Sequence, residues 1–256
     1  MQTSKYFRFK EFPYFVVKDL KYDQDKWLYC NGKYSWDYTM LYLGKLSKPL
    51  WITKGINCYT EDHGLVSRLL PNAAVCDIKN LRLEDQIISF DEFKFLISSG
   101  NVEKLTLCYS HVMYENGQVV GIDEILQLLP NVKQIRWLLD PETAATFTSE
   151  TTQKLINNLS PSKLQSFCIM NIPESFDFNL FAEFMIENPS IDYFLDFDIL
   201  ISNKYSAILQ AYVDYIIQVS STKYFPLHIR FPRQTEKSIT CLRNLYKFYN
   251  QEDMEY

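Results

Sequence analysis

The chain has little of the residue inventory that catalytic sites need. Only 7 glycines and 3 histidines occur among its 256 residues. A phosphate-binding loop therefore has little glycine to draw on, and no G-x-G-x-x-G, G-K-[ST] or G-x-S-x-G motif is present. His63, His111 and His228 lie far apart in sequence, and none belongs to a metal-spaced motif such as H-E-x-x-H. We expect no enzyme activity, no catalytic residue, no cofactor and no bound metal.

Long apolar runs and an excess of basic residues are also missing. No run of 18 or more apolar residues occurs, so we expect no transmembrane helix. The N-terminal MQTSKYFRFKEF carries charges and lacks the apolar region of a signal peptide. The formal net charge is -5, and no basic stripe is available to neutralise phosphates. The predicted location is cytoplasmic or nuclear, with neither a membrane nor a nucleic acid as partner.

Cysteines are present but do not form a motif. The six residues are scattered from Cys30 to Cys241 without a C-x-x-C pair, which argues against a zinc knuckle or a redox centre. In a reducing compartment we expect free and mostly buried thiols.

The chain does contain a sequence pattern that is repeated five times: an apolar stretch, a small turn and a short apolar strand pattern. The turns lie 29, 30, 31 and 28 residues apart (72→101→131→162→190). Their dipeptides are Pro71-Asn72, Gly100-Asn101, Pro130-Asn131, Pro161-Ser162 and Pro189-Ser190. A near-constant period of this length indicates stacked supersecondary units, which commonly serve as binding surfaces.

Apolar residues follow each turn at fixed offsets. Val102, Leu105 and Leu107 come one, four and six residues after Asn101. The pattern L-x-x-L-x-L is that of the strand in a leucine-rich repeat. The corresponding residues of the other copies are Ala73, Cys76 and Ile78; Val132, Ile135 and Trp137; Leu164, Phe167 and Ile169, with a slip of one residue after Ser162; and Ile191 and Phe194, followed by Asp196 in a degenerate fifth copy.

Helical patterns separate these strands. Ser89 and Glu92 form a capping-box signature, and Asp177 can cap the helix that follows it. A helix over 205–217, a strand over 227–231 and a last helix suggest a sixth, terminal unit. The predicted fold class is therefore α/β: a leucine-rich-repeat-like right-handed solenoid of five to six strand–helix units with a parallel sheet. We assign residues 61–250 to this domain and residues 251–256 to a frayed tail.

The first 60 residues differ from the repeats and form an irregular N-terminal segment. The stretch from Phe12 to Leu20 predicts a short helix opened by Pro13. Residues 38–43 and 50–53 have the pattern of strands. No Gly/Ser linker precedes the repeats, so we expect the segment to pack on the first of them.

Two features together resemble a known family. FRFKEFPYFVVKDL is similar to the start of an F-box, and FLISSGNVEKLTL and IDEILQLLPNVKQIRW resemble C-terminal repeats. The chain thus resembles the nematode-expanded F-box proteins with a divergent leucine-rich-repeat-like C-terminal region. The resemblance implies that the repeats present a substrate while the F-box docks to the Skp adaptor of a cullin-type ubiquitin ligase. The candidate adaptor-docking residues are Phe12, Pro13, Phe15, Val16 and Leu20.

Only the opening of the F-box is recognisable, because the residues from Lys21 to Trp27 do not continue its pattern. The alternative interpretation is that Phe12 to Leu20 caps the repeat core. Two functions therefore remain open: a substrate-recognition or adaptor protein of the ligase system, and a stand-alone interaction module that has lost ligase docking.

The residues between the apolar strand positions are the candidate contacts for a protein partner or substrate. They mix both charges with amides and an aromatic ring, which suits a protein partner better than a phosphate backbone. They are Glu103, Lys104, Thr106, Lys133, Gln134, Arg136, Gln165, Asp192 and Tyr193. The alternative is that these are ordinary solvated strand residues.

Overall fold

The computed structural model describes residues 12–32, 37–159, 163–219 and 227–252. These residues form a mixed α/β fold around a largely parallel sheet, with eight α-helices in the described part of the chain. The predicted turn Pro161-Ser162 lies outside the described residues, as do residues 7–11 of the F-box-like stretch and residues 253–256 of the predicted tail.

Strands and helices alternate over most of the chain. The strands are β1 (Phe15–Asp23), β2 (Lys26–Cys30), β3 (Thr39–Leu41), β4 (Leu50–Tyr59), β5 (Ala73–Cys76), β6 (Asn80–Glu84), β7 (Ile87–Ser89), β8 (Lys104–Cys108), β9 (His111–Met113), β10 (Gln134–Leu138), β11 (Ser166–Ile172), β12 (Asp192–Phe197) and β13 (Leu227–Arg230). The helices are α1 (Leu65–Leu69), α2 (Phe90–Leu96), α3 (Ile122–Gln127), α4 (Pro141–Ala145), α5 (Thr151–Asn158), α6 (Phe178–Glu187), α7 (Asn203–Val219) and α8 (Glu236–Glu252).

Eleven strands form one open sheet in the order β13-β12-β11-β10-β8-β6-β4-β1-β2-β3, with β5 also paired to β4. From β4 to β13 the spatial order follows the chain order, and every neighbouring pair is parallel. Such pairing requires crossovers between strands, and helices supply them. Among the described strands of this sheet, the antiparallel pairs are β1 with β2 and β2 with β3. Strands β7 and β9 form a separate parallel pair.

One face of the sheet is buried and the other is open. Along β8, Leu105 and Leu107 are each 1% exposed. The residues that alternate with them, Lys104, Thr106 and Cys108, are exposed or half-buried. The same alternation recurs along β6, β10, β11 and β12, because successive side chains of a strand point to opposite faces. The buried row packs with helix residues in one continuous core.

The fifth repeat is offset from its predicted register. Tyr193 is paired with the buried Phe167, so its side chain enters the core with no exposed area. Its inclusion among the partner contacts was therefore wrong, and Phe194, predicted to be buried, lies on the open face. Ile191 precedes Tyr193 by two residues, whereas Val132 precedes Ile135 by three, so the turn is one residue shorter. A shift of one residue reverses every side chain of a strand.

The predicted position of the strand in the first repeat was also wrong. Its strand in register with β8 is β6, since Leu81 is paired with Leu105 and Leu83 with Leu107. The predicted stretch from Ala73 to Ile78 instead contains β5, which pairs with the first half of β4. Strand β6 pairs with the second half of β4, so two short strands share one long neighbour.

The predicted helix starts are confirmed. The Ser89 side chain accepts a hydrogen bond from the Glu92 amide (3.1 Å), and the Glu92 carboxylate accepts one from the Ser89 amide (2.7 Å). Asp177 accepts a hydrogen bond from the Leu180 amide at 3.1 Å. These side chains satisfy amides that a helix N-terminus leaves without an internal partner.

The predicted N-terminal helix is wrong. Residues 15–20 instead lie in β1, which pairs in parallel with β4 and antiparallel with β2. Gln24 and Asp25 connect β1 and β2 with φ angles of 49° and 59°. Two residues at positive φ match the tight hairpin turn that suits the twist of paired strands. The segment packs on the repeats as expected, because the sheet continues from β1 through β4 into β6.

Within the described residues, no helix combines the length and apolar character that crossing a membrane requires.

Candidate functional site: the open sheet face

The open face consists of the outward-pointing side chains of β6, β8, β10, β11, β12 and β13. Backbone pairing aligns them in rows that cross the strands. The central row is Arg82, Thr106, Arg136, Cys168, Phe194 and His228. All of these side chains are half-buried or exposed. Neighbouring members of a row are close enough for one partner to touch several strands at once.

Charge is concentrated on one half of this face. The ranges 79–84, 103–108 and 133–138 carry five cationic side chains and only two carboxylates. The cations are Lys79, Arg82, Lys104, Lys133 and Arg136, and the carboxylates are Glu84 and Glu103. This local excess of positive charge contrasts with the net charge of -5 for the whole chain.

Three of the five cations are engaged by the two carboxylates. Lys79 and Lys133 contact the two oxygens of Glu103 at 3.0 and 2.9 Å. Hydrogen bonds from Lys133 and then Lys79 lower the pKa of Glu103 to about 2, so it is ionised at neutral pH. Arg82 pairs with Glu84 and lies over the Tyr59 ring at 4.6 Å.

The other two cations, Lys104 and Arg136, are exposed and make no ion pair within the described part of the chain. They lie on adjacent strands, because Lys104 is opposite Gln134 and Thr106 is opposite Arg136. A diagonal neighbour two residues along the adjacent strand is about 7–8 Å away. Both charges can therefore reach the same group of a bound partner.

The other half of the face is more aromatic and holds a cavity. The Phe194 and His228 rings stack with their centroids 4.5 Å apart. Beside them, Asp196 lies 3.8 Å from Arg230, and burial raises the pKa of Asp196. Burial, together with Arg230 and Arg243, lowers the pKa of His228. A cavity of about 750 Å³ opens between these strands and the start of α8.

Most of the predicted contacts lie on this face. Lys104, Arg136 and Gln165 are exposed; Glu103, Thr106, Lys133, Gln134 and Asp192 are half-buried. Glu103, Lys133 and Gln165 come directly before the strands and therefore lie beside the open face, whereas the others lie within the strands on that face. Tyr193 is the exception described above.

The predicted adaptor-docking residues are engaged within the fold. Leu20 is fully buried. Phe12 stacks on Trp51 with centroids 5.9 Å apart, and Phe15 packs edge-on against Tyr29 at 5.4 Å. The Val16 carbonyl accepts a hydrogen bond from Asn31. Pro13 is exposed. Phe15, Val16 and Leu20 lie in β1 and the other two residues precede it, so the five do not share one face of a helix.

The six cysteines are all free, as predicted, but only three are buried. Burial raises the pKa of Cys58 and that of Cys76 to about 12. On the open face, burial raises the pKa of Cys168 to about 11. Thiols are nucleophilic only when ionised, so these three are poor nucleophiles at neutral pH.

Sequence reasoning missed one cluster of polar residues, formed by His111, Asp140 and Glu142. His111 and Asp140 are 29 positions apart in the chain, so no short motif contains them. The sequence did contain a topological signal, because His111 and Asp140 each follow a strand of the repeat pattern. The carboxyl ends of neighbouring parallel strands meet at one edge of a sheet, so residues that follow such strands lie close together.

Comparisons with known proteins assign no family and no function to the chain. No protein-family model, curated protein or solved structure matches the chain. The resemblance to F-box proteins therefore stays a prediction.

Proposed function

We propose that the protein is a stand-alone interaction module that binds another protein through its open sheet face. In this proposal the strand–helix units form a leucine-rich-repeat-like right-handed solenoid. Two observations support that arrangement: the strands from β4 to β13 follow the chain order across the sheet, and one face of the sheet packs with helix residues in a continuous core.

The observation that carries the proposal is that the two faces of the sheet carry different kinds of side chains. Helix residues and buried apolar side chains occupy one face, while side chains from six strands, charged or aromatic on every strand but β11, stand on the other. The packed sheet already fixes the backbone that carries these side chains, so binding a partner requires no further ordering of the backbone, which favours affinity. Lys104 and Arg136 favour a partner with an acidic segment, because unpaired surface charge steers association and selects the opposite sign.

Site-specific photo-crosslinking tests this proposal. A photoreactive amino acid replaces Thr106 at the centre of the open face or, as the control, Glu183 on the exposed side of α6. We expect a specific protein to be captured from Thr106 and not from Glu183. Capture from both positions alike, or from Glu183 alone, would contradict binding through the open face.

The link to a cullin-type ubiquitin ligase rests on the resemblance alone. An F-box is a helical motif, whereas residues 15–20 of the stretch that resembles its start lie in β1. This observation favours the stand-alone module, which we expect in the cytoplasm or nucleus. A pull-down with purified Skp adaptor discriminates the two hypotheses: binding at the level of an intact F-box control would support ligase docking, and no binding is the expected result.

A further inference from the structure

Three potential metal ligands converge outside the open face, at the carboxyl edge of the sheet. Cys108 is paired with Leu138, so the segments after β8 and β10 emerge side by side. The first segment leads to His111 at the start of β9, and the second to Asp140 and Glu142 at the start of α4. One ligand atom from each of these three residues lies within 4.8 Å of the other two.

The separation of the first two ligand atoms matches a shared ion. His111 Nδ1 lies 3.5 Å from Asp140 Oδ1, beyond the usual hydrogen-bond range of about 2.7–3.2 Å. Two ligands bound to one tetrahedral zinc ion at about 2.0–2.1 Å are about 3.4 Å apart. Nδ1 is buried and has no hydrogen-bond partner among the described residues. A buried ring nitrogen without a hydrogen-bond partner is energetically unfavourable, and a bound metal ion would supply the missing interaction.

Asp140 is held in place by two hydrogen bonds. Its Oδ1 accepts a hydrogen bond from the Thr143 amide and its Oδ2 accepts one from the Thr143 hydroxyl, both at 2.8 Å. Such supporting contacts orient a carboxylate towards a metal. Each oxygen keeps a second lone pair for coordination.

The local charges also favour a cation. One carboxyl oxygen of Glu142 lies within 4.8 Å of one of Asp140, whose side chain is 7% exposed. Two carboxylates this close repel one another when both are ionised, and a cation between them removes the repulsion. The arrangement that competes with a bound metal ion is a direct ion pair between Asp140 and a protonated His111.

We propose that His111, Asp140 and Glu142 bind a divalent transition-metal ion of the zinc type. An imidazole nitrogen with two carboxylate oxygens suits Zn²⁺ better than Mg²⁺ or Ca²⁺, which favour sites made of oxygen ligands alone. Three protein ligands leave a coordination position for water or for a side chain of a partner. The ion would fasten the segment after β8 to the segment after β10.

Calorimetric titration of the full chain, without a histidine tag and after treatment with a chelator, tests the site with Zn²⁺ alone. Asp140→Asn keeps an efficient helix cap for the Thr143 amide, and Glu142→Gln changes an exposed residue, so both variants are expected to fold. His111→Gln removes the nitrogen ligand. His63→Gln is the control for zinc bound to another histidine, since His63 is exposed and outside the cluster.

The wild type and His63→Gln are expected to bind one equivalent of Zn²⁺ with the same affinity. Each of the three cluster variants should bind at least about tenfold more weakly, given that even changes to supporting residues cost 10–100-fold. Added Zn²⁺ should raise the thermal midpoint of the wild type but not of Asp140→Asn. No saturable binding, equal binding by Asp140→Asn, or loss of binding in His63→Gln would overturn the proposal.

Discussion

At the scale of single residues, the direction of a side chain on its strand decides its role. Tyr193 and Phe194 are neighbours in the chain and similar in size. Tyr193 is fully buried and contacts the rings of Phe167 and Phe181, whereas Phe194 stacks on His228 at the open face. The first is a core residue, and the second is available to a partner.

This difference predicts unequal costs of truncation. Tyr193→Ala should lower the free energy of unfolding by about 3–5 kcal/mol, as expected for a large aromatic ring removed from a core. The matched Phe194→Ala should cost about 1 kcal/mol, the scale of one aromatic pair at a partly exposed site. Chemical denaturation of both variants measures the two losses. Equal losses, or a larger loss for Phe194→Ala, would show that the register of β12 is wrong.

The same pair shows where prediction from sequence stops. The apolar offsets correctly identified Leu105, Leu107, Ile135 and Trp137 as core residues. They failed at β12 because its turn is one residue shorter, and a one-residue change in a pattern of period two exchanges the faces. Both Tyr193 and Phe194 are apolar enough to occupy either face, so composition could not correct the error.

At the scale of elements, local signals specified the helix ends better than the N-terminal strand. The capping box at Ser89 and the cap at Asp177 involve residues three apart, and both are present. Strand β1 depends on β4, whose paired residues come about 35 positions later. A proline near the start of a stretch is compatible with a helix, but the hairpin at Gln24 and Asp25 and the pairing with β4 override that preference.

Hydrogen exchange tests the position of β1. It lies between β2 and β4 inside the sheet, with Val17 and Leu20 fully buried. We expect backbone amides of Phe15–Asp23 to exchange as slowly as those of Lys104–Cys108, because interior strands open only in large unfolding events. Amides of the exposed loop over 115–118 provide the fast-exchanging control. Fast exchange throughout β1 would mean that this segment is a separate, weakly attached element.

At the scale of the whole molecule, the distribution of charge is more informative than its sum. A net charge of -5 gives no hint that β6, β8 and β10 carry a local excess of cations on the open face. The sequence placed Lys104 and Arg136 correctly between core positions. It could not show that Glu103 engages Lys79 and Lys133, since those contacts join three segments about 24 to 30 residues apart. The two remaining cations make an acidic partner segment the expected ligand.

The affinity for the protein captured from Thr106 tests the role of the open face most directly. The double variant Lys104→Glu/Arg136→Glu reverses the two unpaired charges, and Lys204→Glu/Lys237→Glu makes the same change in net charge on exposed residues of α7 and α8. Reversal on the open face should weaken binding at least about tenfold, since like charges juxtaposed across an interface cost several kcal/mol. The helix variant should bind within about twofold of the wild type, as expected for charges outside an interface. Equal weakening by both variants, or wild-type affinity in Lys104→Glu/Arg136→Glu, would contradict the open face as the binding surface.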